Sequence, residues 1–75
     1  MVKPTAVTND IRALRTQTNE MTQAELAALI GVTRQTVIAI EQGRYSPTLE
    51  MAFRIAHALG RPLEQVFHYP VKDAR

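Results

Sequence analysis

The stretch Met21–Gly43, MTQAELAALIGVTRQTVIAIEQG, decides how the rest of the chain is arranged. Thr22 stands where an N-cap belongs and Glu25 follows three residues later, the spacing of a capping box. Met21 and Leu26 occupy the two positions of a hydrophobic staple. A helix therefore starts at Gln23. Leu26, Ala27 and Ile30 fall on one face of it, and Gly31 supplies the residue that most easily takes a left-handed backbone and ends it. Thr33 caps a second helix almost at once. Val32 and Val37 repeat the staple spacing, Val37, Ile40 and Glu41 share a face, and Gly43 stops the helix.

Two helices joined by so few residues cannot lie side by side as an antiparallel hairpin. The geometry that fits is a helix-turn-helix, with the second helix held out in front. Ala27, Gly31 and Val37 suit the crossing: a small side chain at the contact, a permissive backbone at the turn and a branched anchor beneath.

The remaining chain is read outward from this unit. Residues 1–7, with Pro4 and no apolar period, are expected to form a flexible arm from which Lys3 can reach a phosphate. The domain is expected over residues 8–68. Its first helix should run from about Thr8 to Thr18, with Asp10 in the first turn, Ile11 and Leu14 inward and Arg12 and Arg15 on the flanks. After Gly43, RYSPT reads as a loop and Thr48 as a cap. The next helix should cover Leu49–Leu59, burying Leu49, Ala52, Phe53, Ala56 and Leu59 as a stripe that Ile55 widens, and ending at Gly60. Pro62 starts a short fifth helix with Leu63, Val66 and Phe67, and residues 69–75 form a tail. No segment reads as a strand long enough to build a sheet, so the expected class is all-α with five helices.

Composition narrows function. Seventy-five residues make one small domain. With no cysteine, disulfides and thiolate zinc or redox chemistry are excluded. No run is apolar enough for a membrane span or a signal peptide, and the expectation is a cytoplasmic protein without a membrane partner. A net charge of +2 names no partner. Its distribution says more: between Glu25 and Glu41 the only charged residue is Arg34, so the front of the second motif helix carries no acid to repel phosphate. His57 and His68 lie on different elements without a nucleophile or carboxylate at a local spacing, so neither a catalytic nor a metal site is expected, and no cofactor.

The run TQAELAALIGVTRQTVIAIEQGRYSPTLEMAFRIAHALG is similar to that of the small phage-repressor-like (Cro/CI, XRE-type) helix-turn-helix DNA-binding proteins. The resemblance extends over about Ile11–Phe67 and rests on RQT at the start of the third helix, IEQGRYSP after it and LEMAFRIA in the fourth. It implies the five-helix lambda-repressor-like fold, the third helix in the major groove of double-stranded DNA and the second across the backbone. It also implies that Gln23 clamps a phosphate and that Glu41, on an otherwise apolar face, pairs with Arg15. The link TQTNEM is one residue longer than the family habit, which puts the register of the first helix in question.

On a helix entering the major groove, the residues opposite the inward Val37 do the reading. Steps of 100° per residue place Gln35, Ala39 and Gln42 there, with Thr36 and Ile38 beside them. The Gln35 amide matches adenine N6 and N7. Arg34 matches guanine O6 and N7, or a phosphate; Ala39 offers a methyl beside thymine. Ile38 has three open readings: a thymine methyl, a partner chain, or no contact. Thr33, Thr36, Gln42, Arg44 and Tyr45 are the further phosphate candidates beside Gln23.

Three or four base contacts at about 1–3 kcal/mol each fall at or below the roughly 4–10 kcal/mol that separates specific from non-specific sites. Two copies on a palindromic operator would double the sum, so a homodimer is expected. Leu63, Val66, Phe67, Tyr69 and Val71 are the candidate interface, with Leu63 and Phe67 closing the monomer core as the alternative. The reading is thus a DNA-binding transcription regulator, a repressor. Its rival is an antitoxin, which would use the apolar C-terminal surface to hold a toxin or another protein partner.

Overall fold

A computed structural model describes residues 5–70. Five helices, α1 (Ile11–Gln17), α2 (Gln23–Ile30), α3 (Arg34–Glu41), α4 (Leu49–Leu59) and α5 (Leu63–Val66), form a single bundle. Two short strands, β1 (Thr8–Asn9) and β2 (Phe67–His68), tie its two ends together. The class is all-α, as the sequence indicates, with one addition. β1 and β2 pair antiparallel, Thr8 opposite His68 and Asn9 opposite Phe67, so the chain does contain a minimal ladder.

That ladder shortens α1. Thr8 and Asn9 are extended, and Asp10 sits at the N-cap rather than in the first turn. The Asp10 N–H donates to the Val66 carbonyl at 2.9 Å, and the Asn9 side chain accepts from the Ile11 N–H at 3.1 Å. The Asp10 N–H, a donor without an intrahelical acceptor at a helix start, is thus satisfied across the fold, and the Ile11 N–H locally by the Asn9 side chain.

The central unit forms as its residues dictate. Thr22 Oγ1 accepts from the Glu25 N–H at 3.0 Å while the Glu25 carboxylate accepts from the Thr22 N–H at 2.8 Å, both halves of a capping box. Gly31 takes φ +78°, and its N–H closes on the Ala27 carbonyl. Thr33 caps α3 through the Thr36 N–H. The link before α2 turns through two successive left-handed residues, Asn19 and Glu20 at φ +54° and +52°. Met21 N–H then donates to the Arg15 carbonyl at 2.9 Å, which closes the link back onto the end of α1.

Every helix contributes to the core: Ile11 and Leu14 from α1, Leu26, Ala27 and Ile30 from α2, Val37 and Ile40 from α3, Ile55, Ala56 and Leu59 from α4, and Val66 from α5. Two sequence expectations fail here. In α4 the inward stripe is Ala52, Ile55, Ala56 and Leu59, while Leu49 and Phe53 are 68% and 55% exposed. At 100° per residue Phe53 lies about 160° from Ile55, so a helix that buries Ile55 cannot bury both. The second concerns the C-terminal surface. Val66 is fully buried and cannot be part of an interface, and Leu63 and Phe67 pack partly against the core. Tyr69 stays 66% exposed. Val71 lies outside the described residues, as does Lys3.

Candidate nucleic-acid interface

The outward face of α3 follows from how its inward face is held. Val37 and Ile40 are 1% and 2% exposed, and the Ile40 carbonyl accepts from Asn9 Nδ2 at 2.9 Å. The helix is therefore fixed in rotation by its core side and tethered at its end by the strand that precedes α1. With that phase set, Arg34, Gln35 and Gln42 are exposed, and Thr36, Ile38 and Ala39 are half-buried at the edges of the projecting surface. The Thr33 and Thr36 hydroxyls lie 3.1 Å apart at the start of the helix. Arg44 and Tyr45 are exposed in the loop that follows it.

Beside this ridge runs a polar cleft of about 700 Å³ between α1, the start of α2 and α3, lined by Arg12, Arg15, Gln23, Arg34 and Gln42 and by the acids Glu20 and Glu41. Its wall is a hydrogen-bonded network. Arg15 Nε donates to Glu41 Oε2 at 2.6 Å and its Nη2 to Oε1 at 3.2 Å, while Nη1 donates to the Met21 carbonyl at 2.8 Å. Gln23 Nε2 donates to the same Oε1 at 3.1 Å. Glu41 is thus satisfied at both oxygens by groups from α1 and α2, which is what a nearly buried carboxylate requires. One N–H of the Gln23 amide is used on Glu41, and Gln23 is the first residue of α2.

The structure therefore brings Gln23, Arg34 and Gln42 to one cleft, sets Gln35, Ile38 and Ala39 on the adjoining ridge, and leaves Arg44 and Tyr45 beyond the end of α3. Arg12 joins the cleft, a cation that the sequence reading left on the flank of α1. Its signal was available: Arg12 precedes Arg15 by three residues and so shares its side of the helix. A second pairing, His68 Nε2 to Asp10 Oδ2 at 2.8 Å, closes the strand clasp on the exposed side. No helix of the described residues is long and apolar enough to cross a membrane.

Comparison with known proteins agrees with this geometry. A family profile described as helix-turn-helix matches residues 11–66. An uncharacterized HTH-type transcriptional regulator of Methanothermobacter thermautotrophicus is 62% identical over 48 residues, covering 63% of this chain and 70% of the relative. A second, from Archaeoglobus fulgidus, is 40% identical over 63 residues, covering 84% and 87%. Among solved structures, the restriction-modification controller protein C.AhdI of Aeromonas hydrophila superposes with a TM-score of 0.66 at 31% identity, over 73% of this chain and 78% of that one. A profile spanning all five helices, relatives of this identity and a capped, outward-facing α3 together place the chain in the XRE-type helix-turn-helix family of DNA-binding transcription regulators.

Proposed function

We propose that this chain is a cytoplasmic repressor that binds a palindromic operator as a homodimer, with α3 of each copy in the major groove. The observation that carries the reading is the phase of α3. Core contacts at Val37 and Ile40 turn Arg34, Gln35 and Gln42 outward, and the helix bears no acid before Glu41, whose carboxylate is engaged by Arg15 and Gln23 at the wall of the cleft.

In this arrangement Gln35 and Arg34 read base edges, and Ala39 and Ile38 offer methyl groups to thymine. Gln23, Thr33, Thr36, Gln42, Arg44 and Tyr45 hold phosphates and set the register. Arg12 adds a further cation to the cleft side. Occupying a promoter by such a surface blocks polymerase without any further activity, which is the basis for repression.

Selection of bound sequences from a random duplex pool, followed by titration at several salt concentrations, tests this. The expected result is an inverted repeat with half-sites one helical turn apart and a steep fall in affinity with salt. Recovery of no enriched sequence, with binding abolished equally for all duplexes by modest salt, would sink sequence-specific recognition.

A further inference from the structure

Among the described residues five large apolar side chains remain well exposed, and three of them, Leu29 at 64%, Leu49 at 68% and Phe53 at 55%, belong to α2 and α4. Leu29, Phe53 and Ala58 line one shallow groove of about 440 Å³, with Glu50, Arg54 and His57 along it. Leu49 stands one turn before Phe53 on the same side of α4. The groove therefore has a projecting aromatic at its own margin. That is the requirement of a twofold contact, in which one patch must offer both the knob and the hole.

We propose that this α2–α4 face is where a second copy of the chain docks, with α4 antiparallel to α4 about a twofold axis near Phe53. The inference rests on the dimeric reading above and names its surface. Along α4 the acid comes first, at Glu50, and the basic side chains follow, at Arg54 and His57. An antiparallel copy lays the Glu50 end of one helix beside the Arg54–His57 end of the other, so the charged rim complements itself as the apolar centre does. Within one chain Arg54 is only loosely held, 3.4 Å from both Glu50 Oε2 and the Ile30 carbonyl, with its side chain 54% exposed. It is free to turn toward the second copy. The C-terminal surface is the weaker candidate because Val66 is consumed by the core and Phe67 is held in the ladder with Asn9.

The test compares wild type, Phe53→Glu, Leu29→Glu and Tyr69→Glu of the full chain by sedimentation equilibrium and by binding to the selected duplex with one or two half-sites. Phe53→Glu and Leu29→Glu are expected to be monomeric where wild type and Tyr69→Glu are dimeric. Both should lose at least about tenfold in affinity for the two-half-site duplex and keep the wild-type affinity for the single half-site. A Phe53→Glu protein that dimerises as wild type does, or a Tyr69→Glu protein that alone becomes monomeric, overturns the surface while leaving the DNA reading intact. A wild type that is monomeric both free and on the two-half-site duplex overturns the dimer itself. Should Phe53→Glu lose its helical circular dichroism, Phe53→Cys decides, since the chain has no other cysteine. Efficient coupling of two copies by a short bis-maleimide supports the axis, and its absence overturns it.

Discussion

Arg15 and Glu41 meet as a nearly enclosed pair, with Nε 2.6 Å from Oε2 and only 12% and 8% of the two side chains exposed. Through Gln23 and the Met21 carbonyl the same pair joins α1, the link and the start of α2 to the end of α3. Among the described residues it is the one ion pair that involves α3, and it adds to the apolar packing of Val37 and Ile40.

Removing one member strands the other. Breaking a buried ion pair costs about 3–5 kcal/mol, and residual exposure together with the bond that Arg15 keeps to Met21 lowers the expectation for Glu41→Ala to about 2–4 kcal/mol. For a chain of this size, with a total stability of roughly 4–11 kcal/mol, that is a large fraction. The paired replacement Arg15→Met with Glu41→Leu should recover most of the loss. Urea denaturation of the two variants measures both; a loss below about 1 kcal/mol for Glu41→Ala would show the pair to be solvated.

Base reading and phosphate holding separate by their response to sequence and salt. Gln35→Ala is expected to relax preference at one position of each half-site by about 1–3 kcal/mol and leave the salt slope unchanged. Arg44→Ala should weaken binding to every sequence alike and make the slope shallower by about one. Titrations on matched and single-substituted duplexes distinguish the two. If both variants keep the full slope and the full preference, the residue assignments are wrong even with the fold correct.

The turn is a conformational constraint rather than a packed one. Gly31 has φ +78°, yet a Cβ added there meets nothing nearer than Arg54 Nη1 at 3.8 Å. Gly31→Ala should therefore cost only the left-handed backbone penalty of about 1–2 kcal/mol, with no clash added. A thermal or urea measurement giving a much larger loss would mean that the α2–α3 crossing tightens in solution beyond what these distances show.

What could be read from the sequence was the part encoded within a few residues. The Thr22–Glu25 box, the Thr33 cap, Gly31 and the inward phase of Val37 and Ile40 all depend on spacings of three or four, and each is present. The orientation of α4 was not legible in that way, because Leu49–Leu59 carries two overlapping apolar arcs. Burial of Ile55 between Ala52 and Ala56 turns Phe53 outward. The β1–β2 ladder was hidden for a different reason: Thr8 and His68 are 60 residues apart, and two residues on each side give no alternation to detect. Val66 followed from the same blind spot, since only the ladder shows that α5 is pressed onto the start of α1.

Val66 and Phe53 should consequently behave as opposites. Truncating Val66, which is fully buried, removes two methyl groups and leaves a cavity, so Val66→Ala is expected to cost about 2 kcal/mol of stability without altering half-site recognition in the folded fraction. Phe53→Ala, at a half-exposed site, should change the stability of the monomer by less than about 1 kcal/mol. Denaturation at low protein concentration, where association does not contribute, makes the comparison clean.

Asn9 carries the last prediction, because it connects the strand clasp to the recognition helix. Its Nδ2 donates to the Ile40 carbonyl at 2.9 Å and its Oδ1 accepts from the Ile11 N–H, so one side chain both starts α1 and holds the end of α3. In Asn9→Ala the Ile40 carbonyl loses that donor in a partly buried setting, at an expected cost of about 1–2 kcal/mol. The effect should be local as well as global. Amide exchange over the last turn of α3, where the Gln42 and Gly43 N–H groups close on Ile38 and Ile40, should accelerate more than exchange over α2. Specific DNA binding should weaken by a similar free energy if the frayed turn must be re-formed in the groove. Equal acceleration in α2 and α3 would mean that Asn9 acts only on the stability of the whole domain and not on the presentation of α3.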